Sequence, residues 1–302
     1  MTLLALDWGT SSLRGALLAA DGTVMEERSF ARGILTVAKG GFPALFDSLF
    51  GDWMQPDTLC LIAGMAGSQQ GWLEARYCPC PSGFAEIAAR LAWVEKNRIA
   101  IVPGLSIEKH GTPDVMRGEE TQVFGALQRL GLRDARMVLP GTHSKWVTVT
   151  DRRVTDFSTW MTGEFYALLR EHSILAHTLP AFSPTNNPVN TPALDPAAFE
   201  QGITHALRGD SLLHTAFSTR TLSLFKRLPE QALPSYLSGL VIGEELKCQT
   251  LPPDRPVVII GSETLALRYA LALKQMGVPV QRVDGSAAWY GLRAIADTLN
   301  RP

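Results

Sequence analysis

Cysteine is scarce in this chain, with four in 302 residues, at positions 60, 78, 80 and 248. Only Cys78 and Cys80 lie close together, and a Cys-Pro-Cys spacing matches neither a zinc knuckle nor a dithiol redox pair, so the thiols read as free and the compartment as reducing. The six histidines are scattered and form no His-Glu-x-x-His or other close ligand pair, which excludes a metal site of that kind built from protein side chains alone. An excess of charge is missing too. Twenty-eight Lys and Arg against 29 Asp and Glu leave a net charge of −1, too little to coat phosphates, so nucleic acid is not an expected partner. No apolar run approaches the ~18 residues of a membrane span. The N-terminal stretch has no basic flank and meets Asp7 almost at once, so the chain reads as cytoplasmic, with no membrane partner. Also absent are the Gly-x-x-x-x-Gly-Lys-Ser/Thr loop, the Gly-x-Gly-x-x-Gly fingerprint and the Gly-x-Ser-x-Gly elbow of acyl hydrolases.

What is present is an ordinary globular composition, 46% hydrophobic and 19% charged, in a chain long enough for two domains. Residues 2–6 and 13–19 read as strands, and Asp21-Gly22 as a hairpin turn before a third strand at 24–30. Phe42, Leu45, Phe46, Leu49, Phe50 and Trp53 recur at helical spacing, and that helix should stop before Pro56. Short strands are predicted at 59–63 and 99–102 with a helix over 84–93 between them, an alternation that sets the class as α/β.

The second half repeats the opening in outline. Strands are predicted at 136–139, 145–150 and 153–158, with an Asp151-Arg152 turn between the last two. Gly9-Thr10-Ser11-Ser12 and Gly141-Thr142-His143-Ser144 share the spelling Gly-Thr-x-Ser, each between two strands and each followed by an Asp-containing hairpin. Helices follow over 162–173, 196–207 and 234–248, then a strand at 257–260 and helices over 262–275 and 286–299. The Pro- and Asn-rich stretch 183–192 reads as a surface loop. Two related domains are expected, 1–130 with 286–302 returning to it, and 131–285.

A turn without bulky side chains exposes successive backbone N–H groups, and neighbouring hydroxyls add donors, which together suit the oxygens of a phosphate. Asp7 ends an apolar strand directly before the first turn, where packing gives no reason for a carboxylate. It suits a Mg²⁺ ion that keeps most of its water beside phosphates.

These residues carry a family resemblance. The Asp7-Trp8-Gly9-Thr10-Ser11-Ser12 opening resembles the first phosphate motif of the superfamily that joins sugar kinases, actin and heat-shock chaperone ATPases. Pro140 to Trp146, with His143 and Lys145, resembles the second phosphate motif, and Val258-Ile259-Ile260-Gly261-Ser262 the adenosine motif. More narrowly, these segments resemble the 2-dehydro-3-deoxygalactonokinase family when taken with Val115 to Gln122, Met161-Thr162-Gly163-Glu164 and Leu237 to Gly243.

That resemblance implies two ribonuclease H-like domains in an actin-like ATPase fold with the active site in the cleft between them. It implies ATP with Mg²⁺ as donor and the terminal hydroxyl of 2-dehydro-3-deoxy-D-galactonate as acceptor, giving the 6-phosphate in galactonate catabolism. In related carbohydrate kinases the base follows a Gly at the start of the helix before the second phosphate turn, which points to Glu119. The helical wheel points the other way: Val123, Phe124, Leu127 and Leu130 form an apolar stripe, and Glu120 lies nearer its centre. Ser68, Gln69 and Gln70 resemble the substrate loop of carbohydrate kinases; Trp8 joins them as a substrate contact, and Arg14 or Arg117 suits the substrate carboxylate. Lys145 also starts a strand, where an outward Lys would be unremarkable. Other readings of the same fold are an exopolyphosphatase-like phosphohydrolase, whose family also places a Glu pair in this helix, and a non-enzymatic ATP- or sugar-sensing module. A homo-oligomer is compatible with all of them.

Overall fold

The computed structural model describes residues 1–181, 193–251 and 255–299; the loop expected at 183–192 lies outside them. The chain opens with β1 (Leu3–Trp8), β2 (Leu13–Leu18) and β3 (Val24–Phe30), followed by α1 (Phe42–Phe50) and β4 (Leu59–Gly64). β1 pairs antiparallel with β2 and parallel with β4, so it is covered on both sides, and its unbroken apolar run is buried. β3 is at the edge of the sheet and carries Glu26, Glu27 and Arg28, charges that suit a strand with one open side. The Asp21-Gly22 turn forms as expected, with Gly22 at φ +88° and the Thr23 N–H bonded to Asp21.

The aromatic spacing of α1 has a packing purpose. Phe42, Phe46 and Phe50 are buried against Trp8, Leu6, Leu13 and Trp53, and burying each ring contributes on the order of 1.5–3 kcal/mol. The next stretch departs from expectation. β5 (Cys78–Pro79) is followed by α2 (Phe84–Ala88), which ends early, and 92–95 form β6 (Ala92–Glu95) instead of continuing the helix. β6 pairs antiparallel with β7 (Ile99–Ile101) across a turn in which Asn97 takes φ +62°, so pairing partners outweigh the helical spacing. A second hairpin, β8 (Leu105–Lys109) and β9 (Thr112–Met116), turns at His110-Gly111, both at positive φ. It was not anticipated, although His-Gly between two extended runs was its signal. The first sheet has the order β3-β2-β1-β4-β7-β6.

α3 (Glu119–Leu130) leads to β10 (Ala135–Leu139), β11 (Ser144–Thr150) and β12 (Arg153–Trp160). After α4 (Thr162–His172), α5 (Pro196–Ala206), α6 (Leu212–Thr215), α7 (Ser218–Leu224) and α8 (Leu233–Lys247) come β13 (Val257–Ile260), α9 (Glu263–Gln275), β14 (Val280–Val283) and α10 (Ala287–Leu299). The second sheet has the order β12-β11-β10-β13-β14, whose first four strands repeat the third-second-first-fourth arrangement of the first. The repeated Gly-Thr-x-Ser spelling therefore sits in a repeated strand order.

Two helix pairs close on glycine. A Cβ on Gly125 of α3 would strike the backbone of Ala287, and one on Gly291 of α10 would strike Thr121, so α3 and α10 touch backbone to backbone. Gly202 of α5 and Gly239 of α8 face each other in the same way, which gives the Leu237–Gly243 segment a packing role. The chain divides into two compact units, Met1–Met137 with Trp146–Thr159 and Val283–Pro302, and Val138–Lys145 with Trp160–Arg282. Among the described residues no helix is long and apolar enough to cross a membrane.

Candidate active site

In the first unit, alternation along β1 sends Leu4, Leu6 and Trp8 into the aromatic core. Asp7 lies on the other face, in register with Arg14 on β2. Arg14 Nη2 donates to Asp7 Oδ2 at 2.6 Å. The following turn is braced, since Gly9 N donates to Ser12 O, and Ile34 and Leu35 donate to the carbonyls of Gly9 and Thr10. Gly33 lies so close to Thr10 and Ser11 that any Cβ would collide with their backbone. Thr10, Ser11 and Ser12 remain exposed.

The start of α3 packs beside this carboxylate. Gly64 at the end of β4 has φ +89° and Gly118 has φ +103°, conformations that exact a high cost from other residues. A Cβ on Gly118 would sit 3.3 Å from Gly64 Cα, and one on Gly64 would sit 3.3 Å from Asp7 Oδ1. The backbones at Gly118, Gly64 and Trp8 thus stack closely, and the glutamate pair follows directly after Gly118.

Glu119 is half-buried and its Oε2 accepts from Arg117 N at 2.9 Å. Glu120 is fully buried; its Oε2 accepts from Gly118 N at 2.7 Å, and its Oε1 has no hydrogen-bond partner. Burial, and then the neighbouring Glu119 charge, push the Glu120 carboxyl up to about 8, so it holds its proton at neutral pH. The wheel was right about burial. Glu119 is the more accessible of the two.

Arg117 lies over the Tyr77 ring at 4.3 Å and donates from Nη2 to Ala75 O at 2.8 Å. A Cβ on Gly67 would come within 2.7 Å of Nη1, which brings the 67–68 loop and this guanidinium together. Arg117 Nε and Nη1 and Ser68 Oγ are buried and have no partner among the described residues. Gln69 and Gln70 are exposed. Trp8, expected to meet substrate, is instead a core residue: it is fully buried, its ring centroid lies 5.3 Å from Phe42 and 6.2 Å from Trp72, and its Nε1 donates to Arg32 O. Arg14 is placed as the partner of Asp7.

In the second unit the shared spelling hides a one-residue offset. β2 starts after Ser12, but β11 starts at Ser144, so Ser144 is buried within the sheet while Ser12 is exposed. The Ser144 hydroxyl, expected on phosphate, donates to Glu245 Oε2 at 2.6 Å instead. The turn before it is held by the 161–164 segment. Glu164 N donates to Thr142 O at 3.0 Å, the Glu164 carboxylate lies 2.5 Å from His143 Nε2, and a Cβ on Gly163 would strike Gly141 O. Lys145 is buried, not the outward strand residue its position suggested. A cavity of about 490 Å³ opens beside Gly141, with Gly163, Ser238, Ser262, Arg268 and Tyr269 in its wall. Gly261 adjoins the phosphate turn, since a Cβ there would lie 3.6 Å from Pro140 O.

A model of the family described as 2-keto-3-deoxy-galactonokinase matches residues 7–295. A Rhizobium meliloti (strain 1021) protein named probable 2-dehydro-3-deoxygalactonokinase is 38% identical over 302 residues, covering 98% of this chain and 96% of that protein. The 2-dehydro-3-deoxygalactonokinase of Escherichia coli (strain K12) is 33% identical over 299 residues, covering 98% of each.

The chain belongs to the 2-keto-3-deoxy-galactonokinase family.

A crystal structure from Sinorhizobium meliloti, solved as a candidate member of this kinase family, superposes with a TM-score of 0.84 at 35% identity, covering 99% of this chain and 98% of that one. An activator of 2-hydroxyisocaproyl-CoA dehydratase from Clostridium difficile, solved with bound ADPNP, shares the fold alone, at a TM-score of 0.51 and 9% identity.

Within this kinase family's chain, the residues that sequence reasoning missed are Thr162, Gly163, Glu164, Glu245 and Tyr269 around the second turn. Met161-Thr162-Gly163-Glu164 was visible as a motif, but its contact with the turn was not. The donor set suits a hydrated Mg²⁺. Asp7 is a half-buried carboxylate whose Oδ2 is already paired with Arg14, and a Mg²⁺ ion beside phosphates keeps most of its water and needs few protein ligands. An ion held by one carboxylate, water and phosphate oxygens matches that chemistry.

Proposed function

We propose that this chain transfers the γ-phosphoryl group of ATP to the 6-hydroxyl of 2-dehydro-3-deoxy-D-galactonate, giving the 6-phosphate and ADP. The observation that carries this reading is the stack of Gly64 and Gly118, which sets the glutamate pair of α3 beside Asp7 and the braced 9–12 turn. Glu119 accepts the hydrogen bond of the attacking hydroxyl and takes its proton as the new P–O bond forms and the bond to the ADP oxygen breaks. Glu120, neutral and sealed in, fixes Gly118 and leaves the ionised role to its neighbour.

Asp7 would hold Mg²⁺, which supplies neutralising charge at the phosphates. Gly9, Thr10, Ser11 and Ser12 with Gly141, Thr142 and His143 receive phosphate oxygens, and the cavity beside Gly261 and Ser262 takes the nucleoside. Arg117, Ser68, Gln69 and Gln70 meet the acceptor, the guanidinium taking its carboxylate. Two ribonuclease H-like domains, 1–130 with 286–302 and 131–285, and a cytoplasmic location belong to this same proposal.

The test is ATP consumption measured over a set of 2-keto-3-deoxy sugar acids, their epimers and their 2-hydroxy reduction products. Acceptor-dependent ADP release that is greatest with 2-dehydro-3-deoxygalactonate is expected. ADP release at the same rate without acceptor would replace the kinase reading with a phosphohydrolase.

A further inference from the structure

Buried in α8 is a carboxylate that the proposed reaction does not use. Glu245 is 1% exposed, and its Oε2 accepts from Ser144 Oγ at 2.6 Å, from Tyr269 OH at 2.8 Å and from Thr162 Oγ1. The three hydroxyls come from three separate places. Ser144 directly follows the second phosphate turn, Thr162 is the first residue of α4, and Tyr269 is in α9, which follows the Gly261-Ser262 turn.

Packing alone gives no reason for a carboxyl group here. α8 is buried along most of its length by Leu240, Val241, Ile242 and Leu246, and it closes on α5 through glycine. In such surroundings an apolar side chain avoids the desolvation that a carboxylate incurs. What a carboxylate adds is a single point to which several donors converge through strong, directional bonds. Tyr269 and Thr162 both line the cavity, and Gly163, next to Thr162, packs directly on Gly141 and Thr142 of the phosphate turn. Burial, and then the Glu245 charge, hold the Tyr269 phenol well above its ordinary value, so it remains a donor throughout the working range of pH.

We infer that Glu245 is a positioning residue for the nucleotide: one buried carboxylate oxygen sets the phosphate turn, through Ser144, in register with the nucleoside cavity, through Tyr269 and Thr162. This rests on the reading of the second unit as the ATP site. The carboxylate touches no reacting atom, and it acts by holding the groups that do.

The experiment is a double-mutant cycle, Ser144→Ala and Tyr269→Phe singly and together, read by calorimetric binding of ADP and by steady-state kinetics with ATP and acceptor varied separately. Each single change is expected to weaken ADP binding about three- to tenfold, the effect of one lost hydroxyl bond, and to leave the acceptor KM unchanged. Because both act through one oxygen, the double variant is expected to lose less than the product of the two single effects. Glu245→Gln, which keeps an acceptor oxygen but loses the charge, is expected to raise the ATP KM and to leave the acceptor KM unchanged. The inference is overturned if ADP affinity and ATP KM stay within twofold in both single variants, if the two effects multiply, or if only the melting temperature moves. It is also overturned if acceptor KM and ATP KM change equally. Wild-type protein that binds no ADP would instead remove the reading of the second unit as the nucleotide site.

Discussion

Replacing Glu120 with glutamine separates the shape of this buried side chain from its charge. The carboxyl is pushed from 4.5 to about 8, first by burial and then by the Glu119 carboxylate. Between those values the folded protein keeps a proton that the unfolded chain has released. The group's contribution to stability is therefore complete below the unfolded value and is lost as pH rises towards 8. The difference, 8 − 4.5 = 3.5 units, corresponds to a ceiling on the order of 5 kcal/mol at ~1.36 kcal/mol per unit. Glutamine has the shape of the protonated acid and still offers an oxygen to Gly118 N–H. At pH 5 its unfolding free energy should fall within about 1 kcal/mol of wild type. At pH 9 it should exceed wild type by about 2–5 kcal/mol. Urea unfolding of both proteins at pH 5, 7 and 9, followed by circular dichroism, measures this gap. A gap that stays constant with pH, or that turns in favour of wild type at high pH, would refute the burial argument and the assignment of Glu119 as the ionised partner.

Glu119→Gln is expected to lower kcat by ~10²–10⁴ with little change in ATP binding, and Glu120→Gln to lower it less; the reverse order in steady-state kinetics would make Glu120 the base. Asp7→Asn is expected to abolish Mg²⁺-dependent turnover with the melting temperature nearly unchanged, and full activity in saturating Mg²⁺ would contradict the metal role. Gly163→Ala adds a Cβ against Gly141 O and Thr142 Cα, so it should displace the phosphate turn and lower kcat/KM for ATP by on the order of 10–10²-fold with the acceptor KM unchanged.

The amino-acid sequence by itself determined the features that local interactions decide. The strand around Ala5, the Asp21-Gly22 hairpin, the two Gly-Thr turns and the ends of α5 and α9 follow from side-chain period, glycine and capping, which act over a few residues. The family was legible for the same reason, because its motifs are short runs that each keep their own backbone shape. What lies across from a residue is not local, and there the tertiary structure decided. Residues 92–93 read as the end of a helix, yet β7 gives Ala92–Glu95 a pairing partner. Ser12 and Ser144 share a spelling, yet a one-residue difference in strand start leaves one exposed and gives the other to Glu245, 101 residues away. Arg14 and Arg117 were equivalent as sequence, until register placed one on Asp7 and loop packing placed the other beside Gly67 and Tyr77. Glu119 and Glu120 are adjacent in the chain and share a helix end. Only the packing of the surrounding elements could bury one, raise its pKa and leave its neighbour half-buried, because desolvation depends on everything that surrounds a group and not on its neighbours in sequence.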